Sequence, residues 1–343
     1  MKTAKRPQSS RLLLVLINLL SIGCLIWTLR EAKLGELKDD LLTMDWRWVA
    51  LAVAADVGVY CWHALRWSLL LRPVVSTGYW RTVRAIYVGL LANEILPFRA
   101  GELLRTYLLS RWTQLPFSVS LSSALIERVF DGLWLCSCVF LTLKLIPMPP
   151  QFRFLVDGAW VLGAVVIAGA LLLAFAMFRH QRQTPIDRPQ HGWRRQVAIL
   201  LEDLGLIGHS RYLYFAFLQS LPYLLLQVIP IWAAFRGYGF DLSISAGFAL
   251  MVILRLGSVV PQAPGNLGLF QLLTKEALVK IFDVVPAEAA RFSLVLWGIV
   301  TIPLLMGGLI ALSVEEADIV ELKRAAEDHA ATLKSQRQEQ DWL

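Results

Sequence analysis

The chain has 343 residues, of which 57% are hydrophobic and only 17% charged, and its mean hydropathy is +0.57. No single soluble core can hide that much apolar surface, so lipid must act as part of the solvent. The net charge of +7 does not mark a nucleic-acid binder, because Lys and Arg fall in short loops and beside apolar stretches, where positive-inside topology places them.

Lys2, Lys5, Arg6 and Arg11 hold residues 1–11 on the cytoplasmic side. The apolar run Leu12 to Leu29 imitates a signal peptide, but it is long enough to span and Arg30-Glu31-Ala32-Lys33 is a poor cleavage site, so a retained first helix is expected. The charge-balanced loop Arg30 to Arg47 then lies outside, and a second span, Trp48 to Leu71, returns. It carries Asp56 and His63 on one face and Arg66, which is expected to snorkel to the cytoplasmic interface with Arg72, Arg81 and Arg84 nearby. Ala85 to Leu96 is too short to cross and meets Pro97-Phe98-Arg99-Ala100-Gly101 before a second half, Glu102 to Trp112, the pattern of a re-entrant hairpin at about 85–112.

Phe117 to Ile146 and Val156 to Phe178 are the next spans, separated by a Pro147 to Arg153 turn and followed by the Arg-rich loop Arg179 to Arg211. Tyr212 to Phe235 leads outward. A second hairpin at about 243–282 is broken at Pro261-Gln262-Ala263-Pro264-Gly265, and Phe292 to Ser313 is the last span before a charged tail, 314–343. The sum is an all-α polytopic membrane protein of about six full spans plus two Pro/Gly-broken hairpins. Its transmembrane domain covers 12–313, and both termini are cytoplasmic in an inner membrane. Cys24, Cys61, Cys136 and Cys138 all lie in apolar segments without CxxC or Cys/His spacing and read as small buried residues. Trp46, Trp48, Trp80 and Trp112 suit interfacial belts.

The two breaks share the pattern P-x-x-x-G-x-L, at Pro97-x3-Gly101-x-Leu103 and Pro261-x3-Gly265-x-Leu267. Three full crossings between them put the hairpins in from opposite sides. Inverted broken helices near the midplane are a transporter plan, in which half-helix N-termini, here expected at Gly101 and Gly265, face anionic groups. Two proline-kinked spanning helices are the plainer alternative.

Charge within apolar sequence needs a reason. Asn93 and Glu94 precede the first break, and Arg99, Glu102 and Arg105 follow it; Glu102 and Arg105 can pair at i,i+3. In SSALIERVFDGLWL, Glu127 and Asp131 share a face and Arg128 can reach Asp131. That cluster either neutralises itself and locks helices together, or positions Arg99 or Arg105 for a phosphate, which guanidinium binds bidentately. Arg255 has no local partner. It is a second anion contact or a partner for the Glu127/Asp131 pair.

Three ordered blocks, ANEILPFRAGELLRTYLLSR, ALIERVFDGLWL and VVPQAPGNLGLFQ, resemble the hallmark blocks of the lysylphosphatidylglycerol synthase transmembrane-region family, also called flippase-like or UPF0104 proteins. The resemblance runs from the first span to the last and implies lipid translocation. It carries that role onto Asn93, Pro97, Arg99, Gly101, Glu102 and Arg105, onto Glu127, Arg128 and Asp131, and onto Pro264, Gly265 and Gly268. Where many relatives of that family have Gly-Gly and a Glu in the third block, this chain has Gly265-Asn266 and Phe270-Gln271. Family members fused to an aminoacyltransferase domain charge the lipid themselves; the thirty residues after the last span are too few for such a domain.

The leading expectation is a translocase for a phospholipid or lipid-linked glycan. It binds the headgroup through the hairpin N-termini, Arg99, Arg105 and Arg255, with Pro97 and Pro261 as the breaks, membrane lipids as partners, and no cofactor or metal. An intramembrane transferase would use Glu127 or Asp131 as base. A scaffold would dock a lipid-modifying enzyme or glycosyltransferase on the Arg179 to Arg211 loop or the tail. No Walker motif suggests nucleotide hydrolysis.

Overall fold

The computed structural model describes residues 8–95, 101–146, 153–180, 203–205, 207–208, 210–258 and 263–340. These hold twelve delimited α-helices and no strand. In chain order they are α1 (Gln8–Leu29), α2 (Leu37–Thr43), α3 (Trp46–Leu71), α4 (Tyr79–Ile95), α5 (Gly101–Thr113), α6 (Phe117–Leu145), α7 (Arg153–His180), α8 (Arg211–Leu226), α9 (Val228–Tyr238), α10 (Ile244–Gly257), α11 (Leu269–Phe282) and α12 (Pro286–Gln340). The expected all-α membrane architecture is what forms.

Among the described residues, three segments are long and apolar enough to cross a bilayer: α3, the rod Arg211–Tyr238 made by α8 and α9, and Pro286–Val314 of α12. The helical hydrogen bonding of the rod is interrupted at Gln227, which caps both halves. Pro230 explains the interruption, because it lacks an N–H for the Leu226 carbonyl and its ring crowds that oxygen. α6 has 29 residues but carries Glu127, Arg128 and Asp131. α7 leaves Trp160, Val161, Val165, Leu171 and Leu172 exposed, a stripe suited to lipid rather than water.

α4 to α5 and α10 to α11 are the two broken hairpins. Their arms have 17, 13, 14 and 14 residues, or about 20–25 Å at 1.5 Å per residue, short of a hydrocarbon layer of about 30 Å. Within the first hairpin the arms touch backbone to backbone: a Cβ on Gly101 would collide with the Gly89 carbonyl oxygen, and one on Gly89 would lie 2.7 Å from Arg105 Cβ. α5 begins at Gly101, whose N–H donates to Asn93 Oδ1 at 2.9 Å. Asn93 therefore caps the start of α5 from the opposite arm.

The second break differs from expectation. α11 starts at Leu269, not at Gly265. Pro264–Asn266 forms a 3-10 turn in which Gly265 has φ 76°, Asn266 φ 53° and Gly268 φ 96°. Left-handed backbone at three of these positions prevents an α-helix from starting before Gly268. Gln271 then closes the start of α11 by accepting the Gly268 N–H at 2.7 Å, and Trp297 Nε1 donates to the Gly265 carbonyl at 2.7 Å.

The hairpin tips meet. Asn266 Nδ2 donates to Glu94 Oε1 at 2.8 Å, joining the turn of the second hairpin to the last turn of α4. Pro97, Arg99 and Pro261 lie outside the described residues.

Two apolar cores flank this junction. One gathers Leu250, Phe235 and Phe292 from α9, α10 and α12; the other gathers Trp67, Ile86, Leu109 and Ile126 from α3 to α6, together with Leu204 and Ile207. At the end of the bundle carrying residues 30–47, Arg291 pairs with Asp40 at 2.5 Å and Glu36 at 2.8 Å, Asp40 also binds Tyr238, and Lys275 reaches Glu31 at 2.8 Å. The Lys275 hydrogen bond holds the Glu31 carboxyl below its ordinary range. These contacts staple the loop across α9, α11 and α12.

Gly101→Ala should cost about 1–3 kcal/mol through overpacking against Gly89, read as a lower melting temperature in detergent. Gly23→Ala, at a position with nothing within 4 Å, should leave it unchanged.

Candidate functional site

Seven consecutive residues of α6, SALIERV, bring charge into the bundle because Glu127 is turned inward and 1% exposed. Its two oxygens are split between two arginines: Oε1 takes Arg66 Nη2 of α3 at 3.0 Å, and Oε2 takes Arg105 Nη2 of α5 at 3.0 Å. Arg66 also binds Asp131, one turn further along α6, and Ser220 of α8 at 2.9 Å. Arg105 donates to Glu102 at 3.1 Å and contacts His63 Nε2 at 3.2 Å. Arg128, half exposed, closes the set by pairing with Glu102 at 2.9 Å and reaching Asp131 at 3.9 Å.

Three guanidinium groups thus meet three carboxylates. Ring faces cover the two buried arginines, Tyr223 at 4.5 Å from Arg66 and Trp67 at 4.6 Å from Arg105. A neutral, hydrogen-bonded cluster of this kind can persist in a low-dielectric interior where any single member alone would be costly.

The structure brings together Glu102, Arg105, Glu127, Arg128 and Asp131, as the sequence suggested. It overturns one expectation: Arg66 does not snorkel. It is 1% exposed, because two carboxylates of α6 outbid the interface for its charge. A signal was available. Glu127, Arg128 and Asp131 leave one surplus negative charge, and His63 and Arg66, three apart on α3, share a face that can meet it.

Arg255 stands apart from that cluster. It binds the Gln227 side-chain oxygen through Nε at 2.6 Å and also through Nη2, and among the described residues no carboxylate lies within 4.0 Å of it. Pairing with Glu127 or Asp131 is thereby ruled out in this conformation. Arg255 instead lines a cavity of about 210 Å³ bounded by α3, α9, α10, α11 and α12, with Asp56, Gln227, Ser258 and Asn266 among its walls. Tyr223 lies between the two sites, its ring 6.0 Å from Arg255 on one side and 4.5 Å from Arg66 on the other. Sequence reasoning had set Asp56 beside His63 and missed Gln227 and Tyr223.

α3 and α12 also bound an apolar groove of about 350 Å³ lined by Val49, Val53, Val295, Ile299 and Ile302. Pro264, Gly265 and Gly268 shape the turn, where a Cβ on Gly268 would strike Ser21 of α1. Among the described residues no three His, Cys, Asp or Glu side chains are grouped to hold a metal ion.

Two broken hairpins joined tip to tip beside a neutral Arg/acid cluster are the features to set against known proteins. The family model of the lysylphosphatidylglycerol synthase TM region matches residues 12–308. The chain belongs to that family. Similar relatives are two UPF0104 membrane proteins of Methanothermobacter thermautotrophicus. One is 24% identical over 275 residues, covering 73% of this chain and 78% of the relative; the other is 21% identical over 284 residues, covering 75% and 81%. No solved structure matches the chain. The family match spans every helix that builds the cluster and the cavity.

Arg66→Met leaves Glu127 and Asp131 short of a buried counter-charge and should destabilise the fold by about 3–5 kcal/mol, seen as a large drop in detergent melting temperature. Adding Asp131→Asn to it should restore part of the loss, since it removes one uncompensated charge.

Proposed function

We propose that this protein moves a phosphate-bearing lipid between the leaflets of a cytoplasmic membrane. One observation carries the assignment. Where the two short hairpins meet, Arg255, an arginine without a carboxylate partner among the described residues, lines a cavity with room for a headgroup. A guanidinium held among apolar helices at a cost of about 2.5–3.5 kcal/mol is retained for a purpose, and phosphate is the group it binds best.

The other charges have a different task. Arg105 spends its N–H groups on Glu102, Glu127 and His63, so it anchors α5 rather than offering itself to a ligand, and Gly101 gives its N–H to Asn93. The headgroup contact therefore falls to the second hairpin. The apolar groove beside α3 and α12 suits an acyl chain, and the Glu94–Asn266 hydrogen bond is the contact the hairpin tips would break to change the side from which the cavity opens. Family membership supports the lipid. The excess of Arg in residues 179–211 supports cytoplasmic termini.

Reconstituted in liposomes, the full chain should accelerate exchange of a fluorescent phospholipid between leaflets. Arg255→Ala should slow that exchange by roughly tenfold, the weight of a charge-assisted hydrogen bond, while the melting temperature holds. An unchanged rate in Arg255→Ala would sink the assignment.

A further inference from the structure

The cavity is lined by an acid, Asp56, and a base, Arg255, that make no direct ion pair with each other. Asp56 of α3 is 7% exposed, yet among the described residues neither of its oxygens takes part in a hydrogen bond or ion pair, and Oδ2 is fully enclosed. Arg255 directs Nε and Nη2 to Gln227, and its Nη1 makes no hydrogen bond among the described residues. A carboxyl and a half-buried guanidinium thus face about 210 Å³ more than 4.0 Å apart, and the buried carboxyl has no direct partner to offset its loss of water.

A purely anionic ligand would answer Arg255 and be repelled by Asp56. A simple cation would answer Asp56 and be repelled by Arg255. A ligand with a negative and a positive end satisfies both.

We propose that the cavity between α3, α9, α10 and α12 holds a zwitterionic headgroup, a phosphodiester with a primary ammonium a few carbons away. Its phosphate sits on Arg255 and its ammonium on Asp56. This rests on the lipid-translocase assignment above and narrows its substrate to an amino-phospholipid. Size agrees, since about 210 Å³ falls below the roughly 300–1,000 Å³ of sites that enclose larger ligands. A phosphate and a short amine fit that volume.

The same chemistry exists free in solution, so binding is measured on the purified full chain with three probes: phosphatidylethanolamine, phosphatidylglycerol of the same acyl chains, and free O-phosphoethanolamine, by native mass spectrometry in detergent. Phosphatidylethanolamine should bind roughly tenfold tighter than phosphatidylglycerol, as one charge-assisted contact provides. Asp56→Asn should erase that preference, weakening phosphatidylethanolamine and tightening phosphatidylglycerol as the repulsion is removed, Asp56→Glu should keep it, and Arg255→Gln should weaken both lipids. Equal binding of the two lipids by the wild type, or an unaltered preference in Asp56→Asn, overturns the proposal. So does free O-phosphoethanolamine binding as tightly as the lipid, which would place the ligand in solution. Should Asp56→Asn fail to fold, the wild-type ratio and Asp56→Glu still decide.

Leaflet exchange in liposomes separates the two claims. A preserved ethanolamine preference with no exchange of any lipid removes the translocase and leaves the headgroup site. Exchange that ignores the headgroup does the reverse.

Discussion

A charge inside a bilayer must be neutralised by what lies within a few ångströms, since no water or salt will do it from a distance. Around Glu127 that requirement sets the arrangement of a whole region. Glu127 holds Arg66 on α3 and Arg105 on α5 at once, so three helices converge on one carboxylate. α5 has only 13 residues and cannot fix its depth by matching the thickness of the hydrocarbon. Its ion pairs do so instead. α4 follows, because Gly89 and Gly101 bring its backbone against α5, and the last turn of α4 then delivers Glu94 to Asn266. The position of one hairpin, and through it the meeting of both, depends on a neutral cluster being complete.

Completeness also distinguishes the cluster from the cavity next to it. In the cluster each guanidinium has a carboxylate and each carboxylate a guanidinium. Within it Arg66 Nε and His63 Nδ1 are the buried atoms without a hydrogen-bond partner among the described residues, and the set gains rigidity from its mutual hydrogen bonds. In the cavity Asp56 and Arg255 remain unpaired with each other. Burying charge without completing it is poor architecture for stability alone. The two sites share Tyr223, which places the unfinished pair beside the completed cluster.

Much of this was legible from residue order. Pro and Gly inside runs too short to span marked both hairpins, and the i,i+3 and i,i+4 spacings of Glu102/Arg105 and Glu127/Asp131 marked the acidic side of the cluster. Three things were not. Arg66 sits near the end of an apolar span, where snorkelling is the ordinary solution, and only knowledge that α6 faces α3 reveals the better one. The start of α11 at Leu269 depends on left-handed backbone at Gly265, Asn266 and Gly268, which a Pro-Gly pair permits but does not fix. Asp56 went unrecognised because nothing within its own helix separates a cavity-facing carboxylate from a paired one.

The two positions at which this chain departs from the pattern of the family it resembles can be judged on the same footing. Asn266 occupies a left-handed site where Gly is the default and Asn the readiest substitute, and its side chain adds the bond to Glu94. Gln271 caps the Gly268 N–H through a side-chain oxygen, a role that Glu fills equally well. Neither departure alters how the hairpin is built. The three hallmark blocks therefore read as construction, supplying caps, close backbone approach and a neutral anchor. Asp56 lies outside them, on α3, and Arg255 lies on α10 ahead of the second break. The charged walls of the cavity are thus set by residues that the construction of the hairpins does not use.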